Sequence, residues 1–91
     1  MIEVRHYRSA TGEDLGNLLR GAYLTMGGVR VESDGIEQYD GVGDASITIG
    51  RSHLLLIGEP TEINGTQKIL ETKLLTKLEQ VSHHGRNFSL N

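Results

Sequence analysis

The chain contains no cysteine, no tryptophan, one proline and one phenylalanine. Without cysteine there are no disulfides, no thiolate metal sites and no thiol nucleophiles, and the composition fits a reducing compartment. No apolar run approaches the roughly 20 residues needed to cross a bilayer. The opening Met1-Ile2-Glu3-Val4-Arg5 lacks the basic and apolar regions of a secretory signal. The expectation is a cytoplasmic protein with no membrane partner. Aromatic residues are too few to build a core, so the 36% hydrophobic fraction of these 91 residues has to pack through Leu, Ile and Val. A thin core of this kind gains burial by self-association, and a homo-oligomer is expected.

Excess positive charge is also missing. Twelve acids stand against nine bases, for a formal charge of -3, which does not favour a polyanion. Residues 1–40 carry seven acids and four bases, while residues 41–91 carry five of each. Lys68, Lys73 and Lys77 gather in one segment, but Glu71 and Glu79 are interleaved and no aromatic platform accompanies them, so nucleic acid is not an expected partner.

What is present is periodicity. Residues 2–8 alternate Ile2, Val4 and His6 against Glu3, Arg5 and Tyr7, the period of a half-buried strand. Leu15, Leu18, Leu19, Ala22, Tyr23 and Met26 then follow helical spacing, with Thr11 expected as the cap and Gly27-Gly28 as the stop. Asn17, Arg20 and Leu24 fall on the outward side. Residues 29–32 and 36–39 read as strands joined by an Asp34-Gly35 turn. A glycine-rich link, residues 40–44, leads to strands at 46–49 and 53–57. Four consecutive apolar residues, Leu54 to Ile57, predict a strand covered on both faces and therefore interior to the sheet. A second helix is expected from Thr61 or Thr66 to His84, with Leu70, Leu74, Leu78 and Val81 on one stripe and Gly85 as its stop. Phe88 and Leu90 suggest a short final strand.

The expected fold is a single α+β domain over residues 1–91: an antiparallel sheet of four to five strands with two helices packed on one face, in the order β-α-β-β-β-β-α.

No motif with a known mechanism is present. His83 and His84 are adjacent, point apart on a helix and suit its C-terminal dipole better than a metal site; Glu79 with His83 would form only one edge of one. No metal or other cofactor is expected. Ser52 and His53 are sequence neighbours, which on a strand face opposite ways, and there is no Gly-x-Ser-x-Gly elbow, so no catalytic residues are expected. The ionisable side chains are read as solubilising groups and as dressing for a docking surface.

The function expected from this elimination is a small non-catalytic binding protein, an inhibitor or adaptor acting by protein–protein contact as a homo-oligomer. Size and composition associate it with virus-encoded inhibitors of host enzymes or defence systems. The candidate surface is the acidic hairpin Glu32, Asp34, Glu37, Tyr39 and Asp40, a tyrosine anchor with a charged rim. The alternative is a binder that sequesters a nucleotide or another phosphorylated small molecule at a subunit interface, using Gly41, Gly43, Arg51, Ser52 and His53.

Overall fold

The computed structural model describes residues 1–50 and 53–81. Six strands, β1 (Glu3–Ser9), β2 (Val29–Ser33), β3 (Ile36–Asp40), β4 (Ser46–Gly50), β5 (His53–Gly58) and β6 (Leu78–Val81), form one sheet in the order β2-β3-β4-β5-β1-β6. Every pairing is antiparallel. The helices are α1 (Leu15–Ala22), extended by a 3-10 turn over Tyr23–Met26, and α2 (Pro60–Leu74). The α+β class and the antiparallel sheet agree with the sequence reading, and the sheet is larger by the strand β6.

That strand replaces the end of the expected second helix. Leu70, Leu74, Leu78 and Val81 share helical spacing, yet α2 stops at Leu74 because Leu75 turns left-handed at φ 55°. The chain then runs back beside β1, with Ser9 opposite Leu78 and His6 opposite Val81. Pairing satisfies the backbone groups along β1's second edge, which a longer helix would have left bare. The Glu71 carboxylate accepts from the Leu78 N–H at 2.9 Å and so caps the entry to the strand. Glu79 therefore lies on a strand. His83, His84, Gly85, Phe88 and Leu90 lie outside the described residues.

Helix starts also moved. Asp14, not Thr11, caps α1, its Oδ1 accepting from the Asn17 N–H at 3.1 Å. Thr11 instead joins a hydroxyl cluster with Ser9 and Thr76 that ties the end of β1 to the segment before β6. The second helix begins at Pro60, whose missing N–H costs nothing at a first turn. Glu59 and Glu62 close a capping box around it.

Both helices cover one face of the sheet. Leu15 and Leu19 of α1 and Ile63, Leu70 and Leu74 of α2 form one core cluster with Tyr7, Tyr39, Ile47, Ile49, Leu54, Leu56 and Leu78. Each fully buried Leu or Ile of this set stabilises by about 1.5–3 kcal/mol relative to exposure. β5 is interior, between β4 and β1, as its apolar run predicts, but the helices cover only the face of Leu54 and Leu56. Gly43 allows α2 to approach: a Cβ there would lie 2.5 Å from Thr66 Oγ1. That hydroxyl accepts the Ala45 N–H at 3.1 Å. Among the described residues, no helix is long and apolar enough to cross a membrane.

Candidate functional site

Alternation fixes which side chains each face of the sheet presents. The helix side carries Arg5, Tyr7 and Ser9 from β1 and Arg30 and Glu32 from β2, because these share a face with Leu54, Leu56, Glu37 and Tyr39 in the pairing registers. The opposite side, which neither helix covers, carries Val29, Val31, Ile36, Gln38, Asp40, Ser46, Thr48, His53, Leu55, Ile57, Val4, His6, Arg8, Glu79 and Val81. The period of β1 is as read from the sequence, but its apolar half, Val4 and His6, points away from the helices. β2 does the same with Val29 and Val31. Val4, Val29 and Val31 are 56%, 63% and 55% exposed, while Leu55 and His6 are buried near the middle of the face.

Two polar centres lie on opposite sides of this sheet. On the helix side, Glu37 is 5% exposed and receives three hydrogen bonds. Arg20 Nη1 of α1 donates to Oε1 at 2.6 Å, and Arg30 Nε of β2 and Tyr39 Oη donate to Oε2 at 2.5 and 2.9 Å. Burial alone would push the Glu37 carboxyl up; the donors Arg30, Tyr39 and Arg20 outweigh it and hold the group below the usual carboxylate range. Tyr39 is pushed up to about 12, by burial first and by its hydrogen bond to Glu37 second. Its ring also packs against Tyr23, with centroids 5.5 Å apart. This cluster clamps α1 to the β2–β3 hairpin, and both oxygens of its one buried carboxylate are engaged.

On the open side, the imidazoles of His6 and His53 meet across β1 and β5. His53 Nδ1 and His6 Nε2 are 2.7 Å apart, so one ring donates while the other accepts, with the tautomers assigned accordingly. Beside them is a cleft of about 350 Å³ lined by His6, Arg8, Ser9, Gly12, Glu13, His53 and Val81. Arg8 is already engaged by Glu79 on β6, at 2.5 Å. No group of three or more His, Asp or Glu able to hold a metal ion occurs among the described residues.

The residues singled out from the sequence separate accordingly. In the acidic hairpin, Glu32, Asp34 and Asp40 are exposed, whereas Glu37 and Tyr39 point inward. Tyr39 is fully buried, so it cannot anchor a partner without opening the core. Asp34 and Gly35 form the turn, with φ of 53° and 78°. Of the alternative set, Gly41 and Gly43 lie at the start of β4 and His53 opposite its end, at Gly50. A strand length of about 16 Å separates those ends. The glycine segment and His53 therefore do not form one anion seat, and the Ala45 N–H that would face an anion is used by Thr66. Arg51 and Ser52 lie outside the described residues. His6 was missed as a partner for His53 because only the β1–β5 register brings them together; nothing local in either segment signals it.

The chain was compared with known proteins at three levels: no family model, no curated protein and no solved structure matches it.

Proposed function

We propose that this protein is a small non-catalytic binding module, an inhibitor or adaptor that works through protein–protein contact as a homo-oligomer, and that it docks through the helix-free face of its sheet. The observation that carries this reading is the direction of the alternation. β1 and β2 place Val4, Val29 and Val31 on the side that neither α1 nor α2 covers, and Glu3, Arg5, Arg30 and Glu32 on the side that the helices cover. A chain this short in apolar residues spends them away from its own core when something else covers them. Asp40, Arg8 and Glu79 give this face a sparse charged rim, as at many recognition surfaces. The non-catalytic part rests on saturation: Glu37 is bound by two arginines and a tyrosine, Arg8 by Glu79, and His53 by His6. An inhibitor directed by a virus at a host enzyme or defence system fits this description by size and composition.

The test compares affinity capture by wild type, by a Val4→Lys/Ile57→Lys variant on the open face, and by a Leu24→Lys variant on the far side of the helix layer. Partners retained by wild type and by the Leu24 variant but lost with the open-face variant support the reading. Equal retention by all three overturns it.

One observation favours a second reading, a binder of a small polar molecule. The cleft beside His6 and His53 has room for a ligand and offers imidazole and hydroxyl groups. A phosphorylated ligand seated there would raise the melting temperature when present well above its dissociation constant. No shift with a panel of nucleotides and sugar phosphates removes this alternative.

A further inference from the structure

The sheet has a bare edge at β2, and its chemistry selects one occupant. β2 and β3 are joined by the two-residue turn Asp34-Gly35 with both φ positive, a type I′ hairpin. In such a hairpin the residues flanking the turn, Ser33 and Ile36, form a hydrogen-bonded pair, and the pairs then alternate. Val31 and Val29 therefore point their N–H and C=O groups toward β3. Arg30 and Glu32 point theirs away from the sheet, with no further strand beyond β2 among the described residues.

An incoming strand must pair with the outward groups of residues 30 and 32. For a second copy of the same strand, running antiparallel about a two-fold axis, three registers within β2 satisfy that parity. One centres on Arg30 and sets Arg30 against Arg30. Another centres on Glu32 and opposes two glutamates. The third centres on Val31; it sets Arg30 opposite the partner's Glu32 at both ends, Val31 against Val31, and Val29 against Ser33. Only the last places opposite charges across the seam, and it also covers the half-exposed Val31. Arg30 has capacity for the contact. Its Nε is committed to Glu37, but its Nη2 is 3.8 Å from Glu32 of its own strand, at the long limit of an ion pair. Val29–Ser33 contains no proline and no lysine, and its two charged residues, Arg30 and Glu32, are of opposite sign.

We infer that two copies of this chain join β2 to β2 in the Val31-centred register, making one continuous sheet across a two-fold axis. This rests on the homo-oligomer reading above and gives it a surface. The pairing doubles the helix-free face without covering it.

Sedimentation equilibrium over a wide concentration range, combined with cysteine cross-linking, tests it. The chain has no cysteine of its own, so Val31→Cys introduces a single thiol. In the inferred register the two thiols sit at a non-hydrogen-bonded pair with Cα atoms about 4.5 Å apart, within disulfide reach. Oxidation is expected to give a covalent dimer rapidly for Val31→Cys and slowly for Leu24→Cys, an exposed control on the other layer. Glu32→Arg opposes like charges twice, and Glu32→Pro removes an outward N–H while leaving the β3 ladder whole. Each is expected to weaken the dimer about tenfold or more, with the melting temperature of the dilute protein reporting that the fold is intact. A wild-type dimer that neither Glu32 variant weakens, with Val31→Cys no faster than the control, overturns the β2 seam and leaves self-association standing. Wild type that stays at the 10.0 kDa monomer mass throughout overturns both.

Discussion

Tyr39 donates its hydroxyl to Glu37 Oε2 at 2.9 Å, from two residues along the same strand and the same face. Glu37 in turn holds Arg20 of α1 and Arg30 of β2. A single carboxylate thereby ties three elements, and the pH response of the fold can be read from it.

Glu37 titrates below its ordinary value of 4.5 in the folded protein. The folded state binds this proton less tightly than the unfolded chain, so the contribution is complete above that value and is lost as pH falls through the folded pKa. Tyr39, raised from 10.0 to about 12, contributes below pH 10 and loses that contribution as pH rises toward 12. Urea titrations across pH should show both losses. Glu37→Gln should flatten the acid limb, and Tyr39→Phe should flatten the alkaline one. An acid limb of unchanged slope in Glu37→Gln would exclude this carboxylate as its source.

The same substitution should have opposite signs at two glycines. A Cβ at Gly43 meets Thr66 Oγ1 at 2.5 Å, with Thr66 Cβ and Cα also close. Gly43→Ala is expected to destabilise by about 1–3 kcal/mol through overpacking. Gly21, inside α1, has nothing within 4 Å of the added carbon. Gly21→Ala is expected to stabilise by about 0.5–1 kcal/mol through helix propensity. Paired denaturant curves decide the matter, and a Gly43→Ala that does not destabilise would mean that the α2 approach at Gly43 is looser than described.

Leu75 terminates α2 at φ 55° while 90% exposed. A leucine gains nothing from that position: its backbone is in the left-handed region and its side chain is in water. Leu75→Asn relieves the first cost and suits the second. An increase in stability of up to about 1 kcal/mol is expected from thermal melts. A loss of stability would instead indicate a contact made by this leucine.

Legibility in the sequence followed the range of the forces involved. The Asp34-Gly35 hairpin, the interior β5 and the apolar stripe of α1 depend on neighbours a few residues apart, and the residues there carry the signal in their own order. β6 was not legible because Leu78 and Val81 fit a helical stripe as well as they fit a strand. What decides between the two is the unpaired edge of β1, some seventy positions away in the chain. The same holds for the inward turn of Tyr39 and for the meeting of His6 with His53. Glu37 reads as a surface acid until Arg20 and Arg30 are known to converge on it, and that convergence is tertiary. Pro60 with Glu59 and Glu62, and Asp14 at the start of α1, are local helix-start signals that a closer reading of capping chemistry would have found.

The position of β1 has a kinetic consequence. It is the earliest described strand to leave the ribosome, yet its two neighbours are β5 and β6, from late in the chain. During synthesis it has no partner strand until β5 has emerged and its second edge none until β6 has, so the hairpins formed by β2 to β5 are free to assemble first. Closing such long loops is slow compared with hairpin formation. Refolding is therefore expected to show an early phase that protects β2 to β5 and a later one in which β1 slots between its distant partners, with hydrogen exchange resolving the order.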